Sequence, residues 1–385
     1  MDFATFGTVK YVIGNGSLQY LTNYKGKKMA ITIDAGIIKP LNMEEVLYKN
    51  ILEANGIDYK IICEVPQEPR MADMDEPIKR IQEYQPDVIV GIGGGASMDT
   101  AKGLLTFLEF PDMTWEKATG NNVLPKFSGK HTLIAVPTTS GTGSETSMCA
   151  VFKGYDLSKQ MILSPEIRPN LALMDFDLLK SLPHRNIAYS GADALAHAIE
   201  ASVSTIASPM VVAQGVAATT TILYDLKASW DGDQEARKRI HMAAAQAGGC
   251  IDNAITGMAH GMDGAGGDFH LAHGCVTGML LPYTMLYIGK HPVYNLIARN
   301  FGITGSDEEV TKKLVDKIWE LYDAIQMPKT FKDVNVPEEA YLNNIPKYVK
   351  RSLNDANIMF APCKPTAEDL EKLYKQFYYG VDYKG

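Results

Sequence analysis

Short apolar runs that alternate with helix-length segments dominate the first half of the chain. They share apolar residues on both faces, and they cover residues 29–33, 59–65, 88–91 and 132–136. Such runs are typical of a buried parallel sheet. After about Pro183 the strand signals fade, and long Ala-rich or amphipathic segments follow, with capping boxes at residues 306–309 and 366–369. We predict an α/β domain with a parallel sheet over residues 1–182 and an all-helical domain over residues 183–385.

Composition is consistent with a cytoplasmic enzyme. A chain of 385 residues with 46% apolar residues can bury two cores. Its five cysteines are scattered, odd in number and without a CxxC pair, which argues against a disulfide framework and a structural zinc site. A net charge of −8 without a basic run argues against nucleic acid or an anionic membrane as a partner. The N-terminus lacks a signal-peptide pattern, and we find no bilayer-spanning apolar run.

Two glycine-rich turns directly follow predicted strands. The first, GIGGGASMDTAKG at residues 91–103, contains Gly94 and Gly95 and precedes a helix that we expect to start near Ser97. The second is VPTTSGTGSETS at residues 136–147. Glycines there let the backbone approach a pyrophosphate, and a helix N-terminus attracts its charge. Neither turn is a Rossmann GxGxxG or a Walker loop, and a lone GGG is often only a tight turn. Two such turns in one sheet favour a nucleotide site.

Asp34 and Lys159 are further candidates for binding a nucleotide. Asp34 ends the run MAITID, where a carboxylate can accept hydrogen bonds from a ribose and repel a 2′-phosphate, which would favour NAD over NADP. It could also cap a helix N-terminus, and the two roles are compatible. Lys159 could contact a ribose or phosphate, or be a solvated surface lysine, and its spacing does not decide between them.

A candidate metal site lies between Gly191 and Gly274. Asp193 and His197 stand four residues apart, so on a helix they share one face. His260, His270 and His273 follow in a segment rich in Gly and Ala. Two of these imidazoles would complete a shell of one carboxylate and three histidines, which suits Fe(II) or Zn(II) and Lewis-acid chemistry. Alone, the Asp–His pair could be a surface pair or a capped polar contact.

Taken together, these motifs resemble the iron-containing (group III) alcohol dehydrogenase family. The similarity covers nearly the whole chain and rests on GGGASMDTAK, PTTSGTGSETS, LSPEIRPNLALMDFDLL, SLPHRNIAYSGADALAHAIEA and HLAHG. It implies a dinucleotide-binding α/β domain followed by a helical metal domain. The metal ligands that it implies are Asp193, His197, His260 and His273. The residues that it implies for the NAD site are Asp34, Gly94, Gly95, Thr138, Thr139, Thr142, Lys159 and Leu179.

The resemblance also implies an activity. Hydride would pass between NAD(H) and a small primary alcohol or aldehyde, with Fe(II) as the expected metal and Zn(II) as the alternative. The family favours aldehyde reduction and forms homodimers or larger homo-oligomers. A glycerol-dehydrogenase-like or other polyol or hydroxy-acid dehydrogenase is an alternative, as is a non-catalytic NAD-binding scaffold. The scaffold predicts lost metal ligands, whereas all four are present.

The chain departs from the family pattern at several positions. Gly264 stands where family members often carry a second histidine near the substrate, and the segment from His260 to His273 is one residue shorter than usual. We therefore expect His270 to carry a proton between substrate and solvent, or else to orient His273. Glu68 replaces a frequent Asn and could pair with a ribose hydroxyl or face water.

Overall fold

The computed structural model describes residues 6–66, 69–119, 124–156 and 158–383. The chain forms two compact units. The α/β unit comprises Thr8–Thr139 and Gly143–Leu182. The helical unit comprises residues 183–383 together with residues 6–7 and 140–142. The observed division therefore differs from the predicted one at two short segments, one of which interrupts the second glycine-rich turn.

A sheet of six parallel strands forms the centre of the α/β unit, in the order β1-β8-β5-β4-β2-β3. Its strands are β1 (Lys10–Ile13), β2 (Lys28–Asp34), β3 (Asp58–Val65), β4 (Val88–Gly93), β5 (Thr132–Pro137) and β8 (Leu171–Met174). Between β5 and β8 the chain forms an antiparallel hairpin of β6 (Cys149–Lys153) and β7 (Lys159–Leu163). The predicted parallel sheet and its four predicted strands are confirmed, and β1, β8 and the hairpin are additional.

Helices cover the sheet on both faces because its strands are apolar on both faces. Ile31 and Ile33 of β2 pack on one face with the helical segments Ser17–Tyr24 and Glu44–Glu53. Ala30 packs on the other face, which is covered by α1 (Asp75–Tyr84), α2 (Gly95–Glu109) and α3 (Trp115–Thr119). Shorter helical turns lie at Met71–Asp73, Pro165–Ile167 and Phe176–Leu179.

The strand order reverses between β2 and β4. The chain runs outward from β2 to β3 and then returns past β2 to β4 and β5. The helical segment that follows β2 packs on one face of the sheet, and α2, which follows β4, packs on the other. In open α/β sheets, ligands bind at the carboxyl ends of the strands at such a reversal. Asp34 ends β2 and Gly93 ends β4, so both stand at this position.

The second unit is built of helices, as predicted. They are α4 (His184–Val203), α5 (Pro209–Trp230), α6 (Gln234–Ala254), α7 (Met258–Gly261), α8 (Gly264–Gly267), α9 (His273–Ile288), α10 (Pro292–Arg299), α11 (Asp307–Ala324), α12 (Glu338–Asn343), α13 (Ile345–Leu353), α14 (Ala356–Met359) and α15 (Ala367–Tyr379). Both predicted capping boxes form, at the starts of α11 and α15. Helix α4 is buried from Gly191 to its end and packs against α5, α6 and α9. Within the described residues, no helix is both long and apolar enough to cross a bilayer.

Candidate functional site

Three helices bring one carboxylate and three imidazoles together in the helical unit. Asp193 and His197 lie on the same face of α4, His260 lies on α7, and His273 is the first residue of α9. One potential ligand atom from each of the four residues lies within 4.8 Å of the others. The Asp193 Oδ1 atom is 3.8, 3.6 and 3.7 Å from the Nε2 atoms of His197, His260 and His273. The four side chains therefore converge on one point through these atoms.

The opposite nitrogen of each imidazole is held by an acceptor. The three Nδ1 pairs are His197 with the Gly141 carbonyl (3.2 Å), His260 with Glu200 Oε2 (2.5 Å) and His273 with Asp263 Oδ2 (2.9 Å). Carbonyl and carboxylate oxygens accept hydrogen bonds, so each Nδ1 donates its proton, and in the neutral ring each Nε2 then presents a lone pair to the cluster. This arrangement is typical of histidines that ligate a metal through Nε2.

The donor set fits a divalent transition metal. His260 Nε2 is buried and has no hydrogen-bond partner among the residues that the structure describes. A buried nitrogen without a partner costs free energy, and a cation at the centre of the cluster would satisfy it. One oxygen and three imidazole nitrogens are a ligand set that Fe(II) and Zn(II) accept.

The electrostatics of the cluster also favour a cation. Burial would raise the pKa of Asp193, but His197, His273 and His260 hold it well below its usual range. Burial would lower the pKa of His260, yet Glu200 and Asp193 raise it to about 9. Burial lowers the pKa of His197 to about 4. The two buried carboxylates, Asp193 and Glu200, thus make a bound cation electrostatically favourable in this region.

In the α/β unit, the structure brings Asp34 next to the first glycine-rich turn. A Cβ atom at Gly93 would lie 2.6 Å from the Cβ atom of Asp34 and 2.7 Å from Ser97 Oγ, and Gly93 has a φ of +144°. Only glycine combines this backbone angle with so close an approach. Asp34 Oδ1 also accepts a hydrogen bond from the backbone N–H of Gly36 at 2.7 Å. The carboxylate therefore caps the turn that follows β2, whereas the sequence had also allowed a cap at a helix N-terminus.

The two glycine-rich turns meet at the ends of β4 and β5. Gly94 immediately precedes α2 and Gly95 begins it, two residues before the predicted start at Ser97. A Cβ atom at Gly94 would lie 3.7 Å from Thr139 Oγ1, and the Thr138 N–H donates to the Gly93 carbonyl at 2.9 Å. The Thr138 and Ser97 hydroxyls are buried without hydrogen-bond partners in the described part of the chain. A helix N-terminus with unpaired hydroxyls beside it suits an anionic ligand such as a pyrophosphate.

The remaining candidates for the dinucleotide lie on other segments of the chain. Thr142 belongs to the helical unit, with Ser140 and Gly141. Lys159 is exposed at the start of β7, opposite Lys153 in the hairpin. Leu179 is buried at the end of the helical turn that follows β8. Glu68 lies outside the described residues.

His270, the predicted proton carrier, lies outside the four-residue cluster. It is exposed and has a φ of +55°, which is uncommon for residues other than glycine. Asp268 fixes the preceding part of this loop through Lys347 (2.6 Å) and Arg351 (3.4 Å).

The structure adds residues that sequence reasoning missed. Glu200 and Asp263 orient two of the candidate ligands, and a signal for each was present, because Glu200 follows Asp193 by seven residues on α4 and Asp263 follows His260 by three. His241 of α6 also lies in the segment from Gly191 to Gly274, and its Nδ1 atom is 3.0 Å from Ser140 Oγ. Burial lowers the pKa of His241 to about 4, so the ring is neutral at physiological pH.

Comparison with known proteins agrees with this arrangement. The family described as iron-containing alcohol dehydrogenase matches residues 8–176, and its C-terminal family matches residues 187–378. An NADPH-dependent butanol dehydrogenase from Clostridium saccharobutylicum is 31% identical over 96% of both chains. An alcohol dehydrogenase from Thermococcus barophilus is 31% identical over 98% of this chain and 100% of the relative. These matches favour neither of the alternatives, a polyol or hydroxy-acid dehydrogenase of the glycerol-dehydrogenase type or a non-catalytic NAD-binding scaffold.

Solved structures show the same fold. An iron-containing alcohol dehydrogenase from Thermococcus thioreducens superposes with a TM-score of 0.89 at 29% identity, over 98% of this chain and 100% of its own. A sulfoacetaldehyde reductase from Bifidobacterium kashiwanohense, solved with NAD+, gives a TM-score of 0.85 at 22% identity, over 98% and 99% of the two chains. The predicted resemblance is confirmed: the chain belongs to the iron-containing alcohol dehydrogenase family, and its activity is that of a metal-dependent alcohol dehydrogenase.

Proposed function

We propose that this protein interconverts small primary alcohols and aldehydes with NAD(H), using a divalent metal held by Asp193, His197, His260 and His273. The observation that carries the proposal is the convergence of these four ligand atoms within 4.8 Å. The three histidines also offer their Nε2 atoms, because each Nδ1 contacts an acceptor. Fe(II) is the metal we expect and Zn(II) the alternative.

The bound metal would supply a Lewis acid that polarises the substrate oxygen. The protein's own residues would keep that metal in one geometry. His197 and His260 are buried, and the Asp193 carboxylate accepts a hydrogen bond from Thr277 Oγ1 at 2.7 Å. These contacts restrict the rotation of the carboxylate and the two rings, so the ligands are arranged before the metal binds.

For the dinucleotide, we propose binding at the carboxyl ends of β2, β4 and β5. Asp34 would accept hydrogen bonds from the adenosine ribose and repel a 2′-phosphate, which favours NAD over NADP. Gly94 and Gly95 at the start of α2, with Thr138 and Thr139, would receive the pyrophosphate. Thr142, Lys159 and Leu179 would complete the site. The Clostridium saccharobutylicum relative is named as NADPH-dependent, so the choice of cofactor needs its own measurement.

We propose His270 as the group that exchanges a proton with solvent during turnover. Its imidazole is exposed, and an imidazole can both accept and donate a proton. Gly264, the position at which the family often has a second histidine, has open space beyond its backbone, because a Cβ atom there would meet no atom within 4 Å. As a glycine, residue 264 supplies no imidazole from that position.

The wider setting that we propose is the cytoplasm, with a small-molecule substrate and a homo-oligomer of two or more chains. The scattered cysteines support a reducing compartment. Light scattering coupled to size exclusion measures the assembly, and a monomer at micromolar concentration would contradict the proposed homo-oligomer.

The proposed activity is tested by following NADH and NADPH oxidation by protein prepared without oxygen and reconstituted with Fe(II) or Zn(II). The aldehyde panel includes neutral, hydroxylated and carboxylated short-chain members. Metal-dependent oxidation of NADH in preference to NADPH is expected, and the ranking of the aldehydes defines the substrate class. If NADH binds but no metal and aldehyde together produce turnover, the proposed function is wrong.

A further inference from the structure

Glu200 is a buried carboxylate that faces one of the candidate metal ligands. Its residue exposure is 4%, and it lies on α4, the helix that also carries Asp193 and His197. Its Oε1 atom accepts a hydrogen bond from the Ala259 N–H at 2.5 Å, and its Oε2 atom is 2.5 Å from His260 Nδ1. A buried carboxylate loses its hydration, so its position depends on donors such as these two.

The backbone before α7 leaves space for this carboxylate. A Cβ atom at Gly257 would lie 3.0 Å from Glu200 Oε1 and 3.2 Å from Glu200 Cδ. Glycine at this position therefore allows the chain to pass directly beside the side chain. The following residues, Ala259 and His260, then supply both of its hydrogen-bond donors.

The three histidines differ in what holds them. His197 donates to a neutral peptide carbonyl at 3.2 Å. His273 pairs with Asp263 at 2.9 Å, but the His273 side chain is 42% exposed. His260 pairs with Glu200 at 2.5 Å, and both side chains are 5% exposed. A charge-assisted hydrogen bond is stronger where water is excluded, so His260 has the strongest partner of the three.

We propose that Glu200 is a positioning residue of the metal site, which sets the tautomer and ligand strength of His260. An ionised carboxylate only accepts, so it keeps the ring proton on Nδ1 and the lone pair on Nε2, toward Asp193. It also adds a second buried negative charge to that of Asp193, which matches the charge of a divalent cation. The inference rests on the proposed function, because it assumes that His260 binds the metal.

The decisive variant is Glu200→Gln. The amide oxygen can still accept from the Ala259 N–H, but the NH2 group then faces His260 Nδ1. The ring must accept there and carry its proton on Nε2, which removes the lone pair offered to the metal. Co(II) affinity, measured by competition with a chelator, is expected to fall about 10- to 100-fold. The ligand-field absorption of Co(II)-saturated protein should change, whereas NADH affinity should not.

The matched control is Thr219→Val, another isosteric change at a fully buried polar side chain of the helical unit. It should leave Co(II) affinity and the Co(II) spectrum unchanged. If the unmodified protein binds Co(II) and Glu200→Gln binds it with the same affinity and spectrum, the inference about Glu200 is wrong, while the proposed metal site stands. A wild-type protein that does not bind Co(II) would overturn the proposed metal site itself.

A second measurement applies if Glu200→Gln does not fold. In wild-type protein labelled with ¹⁵N-histidine and loaded with Zn(II), the short Glu200–His260 contact should give one far-downfield imidazole N–H proton that is protected from exchange. Absence of that resonance from otherwise well-dispersed spectra would also overturn the inference.

Discussion

The carbonyl oxygen of Gly141 accepts a hydrogen bond from His197 Nδ1 at 3.2 Å. Gly141 belongs to a glycine-rich turn whose neighbouring residues lie in the α/β unit, whereas His197 is a candidate metal ligand of the helical unit. A turn that the sequence associates with the dinucleotide thus also orients the imidazole of a candidate metal ligand.

Gly141→Ala should weaken metal binding. The new Cβ atom would lie 2.7 to 2.8 Å from the Cβ, Cα and carbonyl oxygen atoms of Ser190, so the backbone must shift and withdraw its carbonyl from His197. We expect a loss of stability of about 1–3 kcal/mol and at least tenfold weaker Co(II) binding. Gly249→Ala is the control, since its Cβ atom would approach nothing closer than 3.6 Å. Equal Co(II) affinity in both variants would refute the positioning role of this carbonyl.

His260→Ala should remove the metal while leaving NADH binding largely intact. The substitution removes the buried Nε2 atom that would bind the metal, and it leaves Glu200 without its imidazole partner. Elemental analysis after dialysis measures metal per chain, and fluorescence of bound NADH measures the cofactor. The control is His184→Ala, because His184 is exposed and packs on Trp230. Unchanged metal content in His260→Ala would show that the ligand assignment is wrong.

Asp34→Asn and Asp34→Gly together separate two roles of this side chain. Both remove the charge that would repel a 2′-phosphate, but only Asn keeps an oxygen that can accept from the Gly36 N–H. If charge sets the selectivity, both variants should shift the NADH-to-NADPH ratio of kcat/KM by about tenfold, ~1.4 kcal/mol, toward NADPH. Wild-type selectivity in both variants, with lower thermal stability only in Asp34→Gly, would assign Asp34 to the turn alone.

His270→Asn should lower turnover while the metal stays bound. Asparagine tolerates the left-handed backbone at this position better than alanine, so the change isolates the imidazole. We expect kcat to fall at least about tenfold. The checks are steady-state rates from pH 5.5 to 9 and metal content of the same samples. A rate equal to wild type at every pH would remove His270 from proton transfer.

His241 should make the fold sensitive to acid. Burial lowers the pKa of this group from 6.5 to about 4, so between these values the unfolded chain binds a proton that the folded chain does not. Its contribution to stability is complete above pH 6.5 and is lost as the pH falls toward 4. At pH 5 the expected loss is ~2 kcal/mol relative to neutral pH.

His241→Asn removes this titration, so its melting temperature should fall less than that of wild type between pH 7.5 and 5. The variant gives up the Ser140 contact of the ring, so its stability at neutral pH serves as its own reference. An equal fall in melting temperature for both proteins between pH 7.5 and 5 would show that His241 does not cause the acid sensitivity.

Sequence reasoning anticipated the elements that rest on local patterns. The four strands with apolar residues on both faces, the helical second half and both capping boxes follow from periodicity and short-range side-chain preferences. Strands β1 and β8 were not predicted; β1 contains no fully buried residue and so lacks the pattern of apolar residues on both faces on which the other strand predictions rest. Asp193 and His197 share a helix face by spacing alone, whereas the approach of His260 and His273 depends on tertiary packing.

The acceptors behind the histidines were harder to foresee. Glu200 could have been placed on the ligand face of α4 from its spacing, but its contact with His260 requires the chain to return through α5 and α6. The contact of Gly141 with His197 joins residues 56 positions apart in sequence, and no local rule indicates it.

The membership of residues 140–142 in the helical unit has a consequence for synthesis on the ribosome. These three residues leave the exit tunnel well before Ser190, His197 and His241, the side chains and backbone that they contact. The α/β unit can acquire its sheet as soon as β8 has emerged, but the contacts of Gly141 with His197 and of Ser140 with His241 cannot form until α6 is complete. For the same reason, residues 183–385 expressed alone would lack the partners of two buried histidines. A gene fragment cut at the apparent domain border should therefore give an unstable product.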